Sequence, residues 1–66
     1  MEIYINDTLK TCQEGITISE LLVQENVQPI NIAIAVDETV ISKKLWDTTK
    51  VTPGAKIIII KAVQGG

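Results

Sequence analysis

Gly65 and Gly66 close the sequence behind a three-residue spacer, Ala62, Val63 and Gln64, and a run of four isoleucines, Ile57 to Ile60. Glycine has no Cβ, so it reaches backbone conformations closed to other residues and lets a second backbone approach closely. The pair therefore predicts a slender, flexible arm that threads a narrow cleft in another protein and presents the Gly66 carboxylate for chemistry. A carboxylate is a poor electrophile, because its charge is delocalised and oxide is a poor leaving group. It reacts only after activation. Two adjacent glycines at a chosen position arise by chance about one time in 200, so the rest of the chain has to decide between a reactive arm and an incidental tail.

The remaining inventory of reactive side chains is thin. The chain has no His and a single Cys, Cys12, which excludes a histidine-based triad, a His-rich metal site and an intrachain disulfide. All six basic residues are lysines, so no guanidinium is present to clamp a phosphate from two sides. If ATP is used, a second protein must bind it. Cys12 reads as a small apolar side chain, since a reactive thiol needs a nearby cation or helix N-terminus to lower its pKa. Glu14, Glu20 and Glu25 can be taken as paired acids, but helix capping and solvated surface charge explain them better.

Size and charge narrow the classes further. A chain of 66 residues suits one domain and buries only about 60% of the surface its unfolded form exposes. That leaves no room for a deep catalytic cleft beside a core. A formal net charge of -2 argues against nucleic acid, which needs a basic footprint, and Tyr4 and Trp46 are too few aromatics to stack bases. No apolar run approaches the roughly 20 residues that span a bilayer, and Met1-Glu2-Ile3 lacks the basic start of a signal peptide. The expectation is a soluble cytoplasmic protein, a monomer by itself, with no membrane or nucleic-acid partner, no metal and no bound cofactor.

Periodicity places the elements that position the arm. Ile3 and Ile5 alternate with polar neighbours as in a half-buried strand, Asn6-Asp7 turns the chain, and 9–12 reads as a returning strand. Thr17-Ile18-Ser19-Glu20 fits a capping box in front of a helix whose apolar stripe is Ile18, Leu21 and Leu22, with Pro29 as its far limit. Residues 31–36 and 39–42 predict two strands about an Asp37-Glu38 turn. Residues 43–50 read as a loop or helical turn anchored by Leu45 and Trp46, and Thr52-Pro53-Gly54 signals a turn before the last strand, 56–61.

The expected fold is α+β: a mixed sheet of four to five strands with one main helix on one face. With the first and last strands adjacent and parallel, it is a β-grasp domain over 1–61 followed by a tail over 62–66. Four β-branched residues in succession make both faces of the last strand apolar, as in strands covered on both sides. One helix covers one face only. Ile57 and Ile59 are therefore assigned to the core, and Ile58 and Ile60 to an open face that meets a partner, since exposed apolar patches mark interaction sites. The alternative is that neighbouring Lys and Glu stems cover them.

The order of elements, the length and Gly65-Gly66 together resemble the ubiquitin-like sulfur carriers, and most closely the ThiS family of thiamine biosynthesis. The resemblance spans the chain. It rests on Ile3-Tyr4-Ile5-Asn6, on Thr17-Ile18-Ser19-Glu20-Leu21-Leu22, on Ala33-Ile34-Ala35-Val36-Asp37 with Val40-Ile41, on Trp46, and on the strand leading into the glycines. Ser42-Lys43 and Gly54-Ala55 stand where that family often has Pro-Arg and Gly-Asp, and isoleucines fill a strand that often carries an acid.

The resemblance implies a protein cosubstrate with no catalytic residue of its own. A ThiF-like, E1-like adenylyltransferase would use ATP to convert the Gly66 carboxylate to an acyl-adenylate. A sulfur donor would then displace AMP, leaving a thiocarboxylate that supplies sulfur to a ThiG-like thiazole synthase. Gly65, Gln64 and Val63 would thread the partner's cleft, and Ile58 and Ile60 would form the partner interface. Three other readings stand beside it. A carrier for molybdopterin synthesis shares the terminus but tends to be longer. A protein modifier joined to lysines through Gly66 begins with the same adenylation. A plain interaction module would make the glycines incidental.

Overall fold

The computed structural model describes residues 1–61. Among these, the strands are β1 (Glu2–Ile5), β2 (Thr8–Thr11), β3 (Ile32–Val36), β4 (Thr39–Ile41) and β5 (Lys56–Lys61), and the helix α1 spans Ile18–Gln24. The sheet runs β2-β1-β5-β3-β4. β1 and β5 are parallel, pairing Tyr4 with Lys56 and Ile5 with Ile57, and the other neighbours are antiparallel. This is the mixed β-grasp sheet that the element order predicts, with the first and last strands side by side.

Both hairpins use turns whose two central residues have positive φ: Asn6 and Asp7 in one, Asp37 and Glu38 in the other. Turns of this hand match the twist of the flanking strands, and Asn and Asp tolerate them better than most residues. Glu38, at φ 71°, is the exception. It carries the strain of a residue type that seldom adopts this region.

The helix start is written locally. The Thr17 hydroxyl accepts from the Glu20 amide at 3.2 Å, and the Thr17 amide donates to Glu20 Oε1 at 2.9 Å, closing the capping box. The helix ends short of the far limit that Pro29 sets. Asn26 adopts φ 58°, its amide donates to Val23 O, and the Val27 amide donates to Leu22 O. That reciprocal pair terminates a helix by itself, so α1 stops at Gln24 before proline matters.

Ile18, Leu21 and Leu22 from α1 meet Ile3, Ile5, Ile34 and Ile57 from the sheet in one buried core. Cys12 lies in that core too, as a small apolar side chain does. The segment after β4 forms a 3-10 turn, Lys43–Leu45. Trp46 is buried, with Nε1 donating to Ile41 O at 2.9 Å. Leu45, expected to anchor this segment with it, is 47% exposed. In this turn its carbonyl receives the Thr48 and Thr49 amides, while the adjacent Trp46 is the one that enters the core.

Candidate functional site

β5 carries both features that the sequence singles out, the isoleucine run and the lead into the tail. Its position between β1 and β3 means that it is held from both sides where it begins. Successive side chains alternate between faces, and the burial follows: Ile57 is buried and Ile59 half-buried, whereas Ile58 is 37% and Ile60 53% exposed.

Cross-strand register extends this exposed row. Ile58 pairs with Ala35 and Ile60 with Ala33, Ala35 pairs in turn with Val40, and at the far side Tyr4 pairs with Leu9. Paired residues share a face, so Leu9, Tyr4, Ile58, Ile60 and Val40 form a largely apolar strip on the side opposite α1, with Lys56, the partner of Tyr4, in the same row. All five are exposed. Ala33 and Ala35 are too short to cover their neighbours, so Ile58 and Ile60 stand above the surface between them. Both keep part of their surface open, Ile60 more than Ile58. Sequence reasoning named Ile58 and Ile60 but missed Val40, Leu9 and Tyr4 as their companions. Their apolar types were visible, yet only the register puts them on the same face.

One edge of β5 is held in an unusual way. β1 pairs with β5 only as far as Ile5 and Ile57, after which the Asn6 amide donates to Ile57 O at 2.9 Å and the chain turns away. The Asn6 carboxamide then takes over. Its Oδ1 accepts from the Ile59 amide at 2.9 Å, and its Nδ2 donates to Ile59 O at 3.3 Å. Sequence reading saw Asn6 as a turn residue only.

β5 ends at Lys61 beside a shallow groove of about 430 Å³ formed with Asn26, Val27, Gln28, Ile30, Asn31 and Ile32. Gly66, Gly65, Gln64 and Val63 lie outside the described residues. Among those described, no three His, Cys, Asp or Glu side chains converge to hold a metal ion. Among the described residues, no helix is long and apolar enough to cross a membrane. The Glu20 carboxyl titrates below its ordinary value because the Thr17 backbone N–H donates to it, with the Thr17 side-chain hydrogen bond next in weight. That shift belongs to helix capping and lies away from the apolar strip.

Comparison with known proteins supplies the remaining term. The chain is 29% identical over 66 residues to the sulfur carrier protein ThiS of Escherichia coli (strain K12), with all of both chains covered. Its fold matches the crystal structure of the thiamine biosynthesis protein ThiS from Geobacter metallireducens with a TM-score of 0.89 at 23% identity, again over the whole of both chains. A family model described as the ThiS family matches residues 3–66, which takes in the isoleucine strand and both terminal glycines. With the β-grasp sheet in place and the match running through the last residue, the chain belongs to the ThiS family.

Proposed function

We propose that this protein is a sulfur carrier for thiamine biosynthesis, with the Gly66 carboxylate as its reacting group. The observation that carries the reading is the family match through Gly66, on a domain whose last strand leads directly into that terminus. The chain itself supplies no catalysis. A separate ThiF-like adenylyltransferase binds ATP and converts the carboxylate to an acyl-adenylate, with pyrophosphate released. A sulfur nucleophile from a donor attacks the activated carbonyl and displaces AMP, which leads to a terminal thiocarboxylate. That sulfur then passes to a thiazole synthase of the ThiG type. These partners are cytoplasmic, and the carrier works among them.

The residues divide the work. Gly66 bears the reacting atom, and Gly65, Gln64 and Val63 thread the partner's cleft, where a Cβ on Gly65 would meet walls built for backbone. Ile58 and Ile60, with Val40, Tyr4 and Leu9 beside them, supply the apolar surface that the partners cover. The net charge of -2 and the lysine-only basic set leave phosphate recognition to the adenylating enzyme.

The test is intact mass before and after incubation with ATP, a sulfur source and the cognate adenylyltransferase. A gain equal to the exchange of one oxygen for one sulfur, mapped to Gly66, is the expected result. An unchanged mass with a demonstrably active partner means that the tail is not a substrate. Delivery of the sulfur to thiazole synthase, and not to molybdopterin synthase, distinguishes the two carrier pathways.

A further inference from the structure

The Asn6 carboxamide meets the peptide group of a strand residue 53 positions away in sequence, donating to Ile59 O and accepting from the Ile59 amide. A carboxamide offers one acceptor and donors in the plane of a peptide unit, so Asn6 stands in for one further residue of β1 after the β1 backbone has turned away. It does so on β5, two residues before Lys61, where the strand hands over to residues 62–66. On its other side, β5 is paired with β3 through Ile60 and Lys61. With Asn6 in place, Ile59 is held from both sides. Without it, the closing half of β5 hangs from β3 alone.

We infer that Asn6 is a positioning residue for the transfer chemistry at Gly66, acting through β5: it holds the base of the arm so that the tail starts from a fixed point. The role rests on the functional reading above. A strand end that frays in the free carrier has to be ordered when the arm enters the partner's cleft, and prior order lowers that cost of association. Once the arm is seated, the cleft itself holds it, so the effect falls on recognition of the carrier and leaves the chemical step alone. The turn geometry restricts which replacements are informative. Asn6 has φ 48°, so alanine would add backbone strain, whereas glycine removes the carboxamide and keeps the conformation accessible.

The experiment compares wild type, Asn6→Gly and Asn6→Asp in amide hydrogen exchange and in thiocarboxylate formation with the carrier as the varied substrate. In Asn6→Gly, exchange at the Ile59 amide is expected to speed up by about tenfold or more, while the Tyr4 amide, bonded to Ala55 O, keeps its protection. KM for the carrier rises about three- to tenfold with kcat unchanged, the range set by losing two modest hydrogen bonds. Asn6→Asp keeps the acceptor for the Ile59 amide, loses the donor to Ile59 O, and falls between the two. Equal acceleration at Tyr4 and Ile59 overturns the inference, because Asn6 would then support the domain as a whole. So does faster exchange at Ile59 with KM unchanged. Wild type that gains no sulfur removes the functional reading and Asn6's role with it, a failure recognisable because it precedes any comparison of variants.

Discussion

Ile5 and Ile57 stand in parallel register at the centre of the sheet, both turned into the core, while Ile58 faces outward one step along the same strand. Two identical neighbours thus have opposite tasks. The first joins the two halves of the sheet inside the core, and the second lies on the open face.

Ile57→Ala is expected to destabilise the domain by about 2–5 kcal/mol, since it removes a fully buried branched side chain and leaves a cavity. Ile58→Ala should cost less than about 1 kcal/mol, the span of strand propensity at an exposed site. Urea unfolding followed by Trp46 fluorescence measures both. Equal costs would mean that the open face is covered.

A charge on the strip tests what that face is for. Ile58→Glu and Ile60→Glu place a carboxylate where an apolar partner surface has to close and strip its water, which costs several kcal/mol when uncompensated. Binding to the adenylyltransferase should fall by more than about tenfold, with the melting temperature little changed. Titration calorimetry beside a thermal melt reads both quantities, and unfolding of the variants would show the faces to be inverted.

Deletion of Gly66 should abolish thiocarboxylate formation and leave the domain folded. Among the described residues, every buried core residue lies between Ile3 and Ile57. Intact mass after incubation with ATP and sulfur donor, together with circular dichroism, is the check. Normal turnover by the shortened chain would sink the carrier assignment.

The capping box gives a pH-dependent prediction. Glu20 titrates below its ordinary value of 4.5, chiefly through the hydrogen bond from the Thr17 backbone N–H. A folded-state value depressed below the unfolded one contributes stability that is complete above 4.5 and is lost as pH falls through the lowered value. Glu20→Gln should therefore flatten the acid limb of the stability profile below that point. Thr17→Ala, which removes the hydroxyl cap, should cost about 1 kcal/mol at neutral pH.

What could be read in advance divides along the same line as these tests. Thr17 and Glu20 were legible because their bonds span three residues, and Ile3 and Ile5 because alternation is a local pattern. Asp37-Glu38 announced a turn by residue type. Pro29 bounded the end of α1 without fixing it, because Asn26 ends a helix only through a conformation that its neighbours have to support. Leu45 and Trp46 are adjacent apolar residues, and nothing in their order says which one turns inward. The companions of Ile58 were hidden for a deeper reason. Val40, Tyr4 and Leu9 reach it through strand pairing, and pairing is set by the whole sheet. Asn6 lay furthest from view, since its bond to Ile59 crosses 53 positions. Gly65 and Gly66 stood out by residue type, and the family match runs through both of them.

The adjacency of β1 and β5 also dictates when this domain can form. The strand that joins the two hairpins is the last of the five to be made, and its partner β1 is the first of them. Each hairpin can close early, but neither can bury its apolar face until β5 arrives between them. Closing so long a loop is entropically costly before any core contact offsets it. During synthesis the sheet therefore stays in two pieces until β5 is made. One strand thus decides both the joining of the sheet and the moment at which its two hairpins share a core.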